Sequence, residues 1–265
     1  MAHRTARPER HGRGALAAVA VVVVLVVVAV LSVRWVVRNT DVPLPVSMPW
    51  GPECAVWTGQ EHVRLDRDQA RRATTAAAVA AQGDAAPIGS PDTSDIPDEV
   101  MTLLEEGPEE DAGPSLSCRS TKNPDLRVQE ELEPSGLTAR AQRLKDGMDE
   151  HFAELSTGGY HPGGFDTGHG EDSAHYDGRA IDVFYRPVNE ENRRAGWVMA
   201  HWLIAHAPDY AIDVIIFDDR IWSTSYPSLG WRRYEADDPD NEILRHLDHV
   251  HVDVQEGRGS AEAGG

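Results

Sequence analysis

Two short β-branched segments near the C-terminus carry charged residues where an ordinary buried strand is apolar. The first, residues 180–185, has the sequence Ala-Ile-Asp-Val-Phe-Tyr and places Asp182 among large apolar side chains. The second, residues 249–254, has the sequence His-Val-His-Val-Asp-Val. β-Branched and aromatic residues favour strands, and a carboxylate buried in a strand is costly unless a cation or strong donors face it. The fold must therefore bring such a group to Asp182.

Nearby histidines offer the groups that would bind a cation. Side chains two residues apart on a strand share a face, so His249 and His251 can enter one cleft. With His175 and Asp182 they offer imidazoles and a carboxylate suited to one zinc ion, with a coordination position left open for water. A lone His-x-His means little in a chain with 12 histidines. The prediction therefore depends on its coincidence with His175 and Asp182.

A salt bridge is the alternative explanation of a buried Asp182. Arg179 and Arg186 flank the strand, and either guanidinium would neutralise the carboxylate without a metal. Taken apart from the histidines, this alternative explains Asp182 at least as well as a ligand role.

The rest of the C-terminal region predicts helices and antiparallel strands. Apolar residues recur at three- and four-residue steps after Thr138, which can cap a helix. The pattern predicts helices over 138–155 and 189–208, and a hairpin of strands over 211–217 and 220–224. Because helices and strands do not alternate regularly, we expect an α+β domain with a largely antiparallel sheet over residues 137–255.

The first motif resembles the signature of a known family. Ser173-x-His175-x-x-Gly178-x-Ala180-x-Asp182 is similar to the SxHxxGxAxD signature of zinc D-Ala-D-Ala carboxypeptidases and dipeptidases of the VanY and VanX type. Their wider group includes lysostaphin-like peptidases and hedgehog. With the His-x-His, the resemblance covers only the C-terminal domain. It implies a hedgehog-like antiparallel sheet with flanking helices.

The resemblance also implies site residues. His175, Asp182 and His251 correspond to the three zinc ligands. The carboxypeptidases carry an acidic base three positions before the last histidine, which here is Asp248, and His249 would then stabilise the oxyanion or orient water. In the lysostaphin-like branch the first histidine of the pair serves the reaction, so His249 is the rival base. Residues 248 and 251 face opposite sides of a regular strand, so Asp248 must precede the strand or lie at a bulge.

One feature of the family is missing. The carboxypeptidases usually place an arginine in the loop before the first motif, whereas residues 158–164 contain none. Arg179, Arg220 or His161 are the candidate substitutes. We expect no ligand role for His161 or His169. Two tryptophans, Trp222 and Trp231, are candidates to line a peptide cleft, although core packing is the simpler role for at least one.

The N-terminal region contains a long apolar run. Residues 15–33 are almost purely Ala, Val and Leu, and nineteen helical residues rise roughly 28 Å, enough to cross a bilayer. We expect a transmembrane signal anchor over 15–37, a cytoplasmic basic tail over 1–14, and the remainder outside the membrane. A cleaved signal peptide is the alternative.

Residues 38–136 predict a poorly packed linker. It contains one Ala-rich helix, which Asp66 and Gln69 can cap and Gly83 can end, and a stretch with too few large apolar residues for a core. Cys54 and Cys118 are the only cysteines, and a bridge between them would stabilise the fold by roughly 4 kcal/mol. We expect a disordered tail over 256–265.

Charge limits the partners. Residues 1–38 hold six arginines and one glutamate, so subtracting their net charge of +5 from the formal −19 leaves about −24 on the rest of the chain. Nucleic acid is therefore not an expected partner. The resemblance implies a zinc peptidase acting on D-amino-acid-containing stem peptides of peptidoglycan, and the apolar run adds a membrane anchor to this prediction. A catalytically silent zinc-bearing module that binds wall peptides or a protein is the alternative. A third hypothesis makes the acidic N-terminal part the working region and the zinc structural.

Overall fold

The second motif strand lies at the centre of a six-stranded antiparallel sheet. The computed structural model describes residues 28, 51–108, 114–164, 167–168, 170 and 172–258. Its strands, in chain order, are β1 (Cys54–Trp57), β2 (His62–Leu65), β3 (Leu116–Cys118), β4 (Thr157–Gly158), β5 (Ala180–Phe184), β6 (Ile212–Phe217), β7 (Arg220–Ser223), β8 (Arg232–Arg233) and β9 (His249–Val254). The larger sheet has the order β4-β5-β9-β6-β7-β8, with antiparallel pairing between all neighbours.

The described residues also form helices. They are α1 (Arg67–Gln82), α2 (Asp98–Glu106), α3 (Ala139–His151), α4 (Glu190–Ala205) and α5 (Ala207–Tyr210), with a 3₁₀ turn at Gly83–Ala85. The α4 helix packs on β6 and β9, and Val250, Val252 and Val254 point toward it from β9, all fully buried. The expected α+β architecture with an antiparallel sheet is therefore confirmed for the part of the chain that the structure describes.

The segment predicted to be a poorly packed linker is folded instead. Strands β1, β2 and β3 form a second antiparallel sheet, and the predicted Cys54–Cys118 disulfide is formed within it. The α1 and α2 helices pack against α4, and residues of both regions belong to one buried hydrophobic cluster. The prediction was wrong because alanines such as Ala73 and Ala77 bury a helix by close approach without large side chains.

The expected membrane-spanning segment is also corrected. Residues 15–37 lie outside the described residues except for Val28, as does the predicted basic tail over 1–14. Among the residues that the structure describes, no helix is both long enough and apolar enough to cross a bilayer. The single-pass anchor and the membrane localisation that followed from it are therefore not retained.

The predicted C-terminal tail is ordered where it is described. Arg258 forms a β-bridge with Arg127, and its backbone N–H donates to the carbonyl oxygen of Leu126 at 2.9 Å. Residues 259–265 lie outside the described residues. The domain over 137–255 therefore continues by at least three residues.

Candidate metal centre

His175 is placed by a turn and a glycine carbonyl. It lies in the turns between the Gly-rich loop and β5, where its backbone N–H donates to the Ser173 hydroxyl at 3.4 Å. Its ring Nδ1 lies 2.6 Å from the carbonyl oxygen of Gly159. Because a carbonyl only accepts, Nδ1 carries the proton and Nε2 presents a lone pair. Nε2 is therefore the ring nitrogen that could ligate a cation.

Asp182 and His251 are direct neighbours in the sheet. They are paired Cα partners on β5 and β9, so their side chains leave the sheet on the same face. His175 Nε2 lies 3.4 Å from Asp182 Oδ1 and 3.2 Å from His251 Nδ1, and the last two atoms are 3.1 Å apart. The three side chains are only 5, 11 and 12 % exposed.

The triangle has the size that a tetrahedral metal requires. Ligand atoms about 2.0–2.1 Å from zinc at tetrahedral angles are about 3.3 Å apart. The three measured separations lie within 0.2 Å of that value. Two lone-pair nitrogens and one carboxylate oxygen also match the ligand chemistry of zinc. His175, Asp182 and His251 thus form a cluster able to hold a metal ion.

The salt-bridge alternative for Asp182 does not match the contacts. Arg179 donates to Asp177 and to the carbonyl oxygen of Val254, and Arg186 pairs with Asp248. Burial alone would raise the pKa of Asp182, but hydrogen bonds with His175 and His251 hold that pKa well below its usual range. The carboxylate is therefore ionised and faces histidines.

His251 responds to the same carboxylate. Burial by itself would lower the pKa of His251, but the hydrogen bond with Asp182 and the negative charge of the nearby Asp253 raise that pKa to about 9. A metal and a proton compete for the same ring nitrogen. The negative field that favours the proton is also the field that favours a divalent cation.

Asp248 and His249 form a dyad beside the cluster. His249 Nδ1 lies 2.7 Å from Asp248 Oδ1, and His249 Nε2 lies 3.8 Å from Asp182 Oδ1. The other Asp248 oxygen accepts from Arg186 Nε at 2.7 Å. Burial would raise the pKa of Asp248, yet the hydrogen bonds with His249 and Arg186 lower it overall. Asp248 precedes β9, as its predicted use required, but both of its oxygens are engaged.

His246 joins the site although the sequence did not single it out. It lies in the loop before β9, with its ring centroid 4.7 Å from that of His249 and 5.7 Å from that of His251. Tyr234 packs edge-on against it at 5.1 Å. Burial, followed by the neighbouring His251 and His249, lowers the pKa of His246 to about 3. His246 is a loop residue with φ 54° and lies three positions before His249. The two-residue spacing of the strand therefore did not predict that its ring would join the site.

The substitutes considered for the loop arginine lie elsewhere. Arg179 is paired with Asp177 as described above. Arg220 shares strand parity with Trp222, which is fully buried on the core side of the sheet. His161 is exposed, and its Nδ1 lies 2.8 Å from the carbonyl oxygen of Pro162. His169 falls outside the described residues.

The two tryptophans proposed for a peptide cleft support the fold instead. Trp222 is fully buried and donates through Nε1 to the carbonyl oxygen of Cys118 at 2.9 Å. Trp231 packs against the hydrophobic core and donates to Leu116 at 3.0 Å. Both indoles therefore join the larger sheet to β3.

Glycines close the site around His175. Gly159 has φ 78°, and a Cβ added there would lie 2.3 Å from His175 Cε1 and 2.9 Å from Asp182 Oδ2. Gly178, the glycine of the first motif, has φ 63°, and its Cβ would lie 2.5 Å from the carbonyl oxygen of Gly136. The backbone thus approaches the cluster as closely as glycine allows.

Comparison with known proteins gives one match. Residues 133–243 match the family model described as VldE, C-terminal domain. The matched segment is less than half of the chain and includes His175 and Asp182, but it ends before Asp248, His249 and His251. Neither the curated proteins nor the solved structures compared with this chain include a significant match.

Proposed function

We propose that this chain is a zinc-dependent peptidase that hydrolyses D-amino-acid-containing stem peptides of bacterial peptidoglycan. The observation that carries the proposal is the convergence of His175 Nε2, Asp182 Oδ1 and His251 Nδ1 at separations of 3.1–3.4 Å. The substrate class is suggested by the resemblance of residues 173–182 to the SxHxxGxAxD signature. When bound, zinc supplies Lewis acidity toward a peptide carbonyl and toward water.

The arrangement of the dyad favours His249 as the proton carrier. With its Nδ1 proton donated to Asp248, the ring presents a lone pair at Nε2 on the side of the cluster. We assign to that atom the uptake of a proton from the attacking water and its return to the leaving amine. Asp248 then acts as a positioning residue that fixes the tautomer of His249. This reverses the roles expected from the sequence.

Arg186 donates to the Asp248 oxygen that His249 does not contact. Its guanidinium donates to Asp248 and lies over the Phe184 ring, with 4.1 Å between the guanidinium carbon and the ring centroid. A carboxylate held by two donors, with its pKa below the ordinary value, is a weak proton acceptor at neutral pH. The same contacts make it an effective support for a protonated imidazole, because its negative charge faces the ring.

A silent zinc-bearing binding module remains the second candidate. The placement of Arg179 and Arg220 away from the cluster favours it, since neither can support a transition state there. The Asp248–His249 dyad opposes it, because a module without turnover has no use for an oriented proton acceptor.

Metal analysis combined with a cleavage assay tests the proposal. The purified full chain should contain about one zinc per molecule and should release D-alanine or cut peptides from muropeptides, measured by chromatography with mass detection. His251→Ala should lose both properties. His249→Ala should keep the metal and lose turnover by about 10²–10⁴-fold, whereas the exposed His161→Ala serves as the matched control and should keep both.

The outcomes separate the two candidates. A chain that binds zinc through His251 but cuts no muropeptide would leave only the binding module. A wild-type chain that binds no zinc at all would exclude both candidate functions.

A further inference from the structure

We propose that Asp253 is a positioning residue of the metal centre, which orients His251 through the outer nitrogen of its ring. The inference rests on the proposed metal site and adds a fourth residue that does not itself touch the cation. It concerns the last charged position of the His-Val-His-Val-Asp-Val segment.

Strand parity places Asp253 on the face of the cluster. Residues 249, 251 and 253 alternate with valines on β9, and Asp253 is the Cα partner of Ala180 as His251 is of Asp182. His251 Nδ1 points to Asp182 at 3.1 Å, whereas its Nε2 lies 3.7 Å from Asp253 Oδ2. The ring is therefore held between two carboxylates, one on each nitrogen.

The burial and contacts of Asp253 support this positioning role. Its side chain is only 12 % exposed, and its Oδ1 is buried without a hydrogen-bond partner among the described residues. Among the described residues, Asp253 forms an ion pair with His251. Burying a carboxylate with so little compensation costs several kcal/mol, so a purely structural residue at this position would be better apolar.

The benefit appears when Nδ1 of His251 is a ligand. A neutral imidazole carries its proton on one nitrogen only, and a lone pair at Nδ1 requires the proton at Nε2. A carboxylate beside Nε2 stabilises that tautomer, makes the ligand nitrogen more basic and restrains the ring. The 3.7 Å separation is longer than a hydrogen bond and would shorten with a small ring rotation.

The test compares two carboxylates of the same sheet whose side chains are similarly exposed. Asp253→Asn in the full chain should weaken zinc binding by about 10–100-fold, measured by competition with a chromophoric chelator. The control is Asp213→Asn on β6, where the side chain is 13 % exposed and pairs with Lys122 at 3.1 Å. That variant should bind zinc like the wild type, because Asp213 does not contact the histidines.

Stability in the presence of a chelator excludes a merely structural role. The metal-free Asp253→Asn chain should unfold at the same temperature as the metal-free wild type or higher, because a buried charge has been removed. Unchanged zinc affinity, or a loss of affinity that parallels a loss of metal-free stability, would overturn the inference. A wild-type chain without zinc affinity would instead defeat the proposed function together with it.

Discussion

The two faces of the six-stranded sheet differ in chemistry although the same strands build them. On β9, Val250, Val252 and Val254 point into the core and are fully buried. The residues that alternate with them, His249, His251 and Asp253, point to the opposite face, where the candidate metal site lies. Because successive side chains of a strand point to opposite faces, core residues and candidate site residues alternate along the six positions of β9.

The strands that form the core also position the candidate site, so the site need not itself be a source of stability. Backbone pairing between β5 and β9 and the apolar packing behind them hold Asp182 and His251, so the polar contacts of these residues need only orient their side chains. We therefore expect substitutions on the core face to change the free energy of unfolding first. Substitutions on the site face should change metal binding or turnover first.

The largest effect should come from the core face. Trp222→Ala should lower the free energy of unfolding by about 3–5 kcal/mol, because a fully buried indole is removed together with its hydrogen bond to Cys118. Its neighbour Ile221 faces the site side and is half-buried, so Ile221→Ala should cost only about 1 kcal/mol. Urea denaturation followed by tryptophan fluorescence measures both. Equal losses would mean that the two faces contribute alike.

On the site face, one methyl group should be enough to disrupt the metal centre. Gly159→Ala places a Cβ against His175 and Asp182 at a backbone φ of 78°, so zinc affinity should fall by at least about 100-fold, through steric displacement and backbone strain. Gly163→Ala is the matched control, because Gly163 also has a positive φ, 89°, but no atom of the described residues lies within 4 Å of its added Cβ. If both variants lost zinc equally, strain and not the steric clash would be responsible.

The predictable parts of the fold were those with local signals. The Asp66–Gln69 capping box forms as expected, Thr138 and Asn189 cap their helices, and Asp218 and Asp219 adopt positive φ in the hairpin turn. Each of these signals acts within four residues. The helix bounds differ from the predicted ones where tertiary packing determines them. For example, α3 ends at His151 and not near residue 155.

Long-range packing could not be predicted in this way. The region 51–136 has few large apolar side chains. Its packing depends on α4 and on two indoles from distant parts of the chain, Trp222 on β7 and Trp231 just before β8. Deleting residues 54–118 therefore exposes the α4 face, and a loss of hydrolysis in that deletion would report unfolding.

The candidate ligand set could be predicted from the sequence, whereas the surrounding residues could not. His175, Asp182 and His251 were predicted from the motif, the strand parity and the family resemblance, and the structure brings the three side chains together. The contacts of Asp248 depend on Arg186, which lies 62 positions away along the chain. No single-strand pattern contains that information.

On the core side of the sheet, a buried histidine should make the free energy of unfolding decrease in acid. His201 on α4 is fully buried and accepts the backbone N–H of Leu116 at 3.4 Å, and burial lowers its pKa to about 3. The unfolded chain takes up this proton near pH 6.5, so the stability is complete above that pH and decreases toward pH 3. At pH 5 the loss should be about 2 kcal/mol.

Urea denaturation at several pH values checks the sign. His201→Gln removes the titrating group, so its stability should depend less on pH between 6.5 and 4 than that of the wild type. His161→Gln, an exposed control, should follow the wild type. Identical pH dependence in all three chains would contradict the assignment.

The smallest expected effect concerns His246, which lies on the side of the candidate site but outside the predicted ligand set. Its ring packs against His249 and is held by Tyr234, so His246→Ala should leave zinc affinity unchanged and reduce kcat/KM for muropeptides by about tenfold through a less restrained His249. Tyr234→Phe should keep near wild-type turnover, since the edge-on ring contact survives. A loss of zinc in His246→Ala would instead place this histidine among the ligands, and the site face would then hold one more metal-binding position than its strands provide.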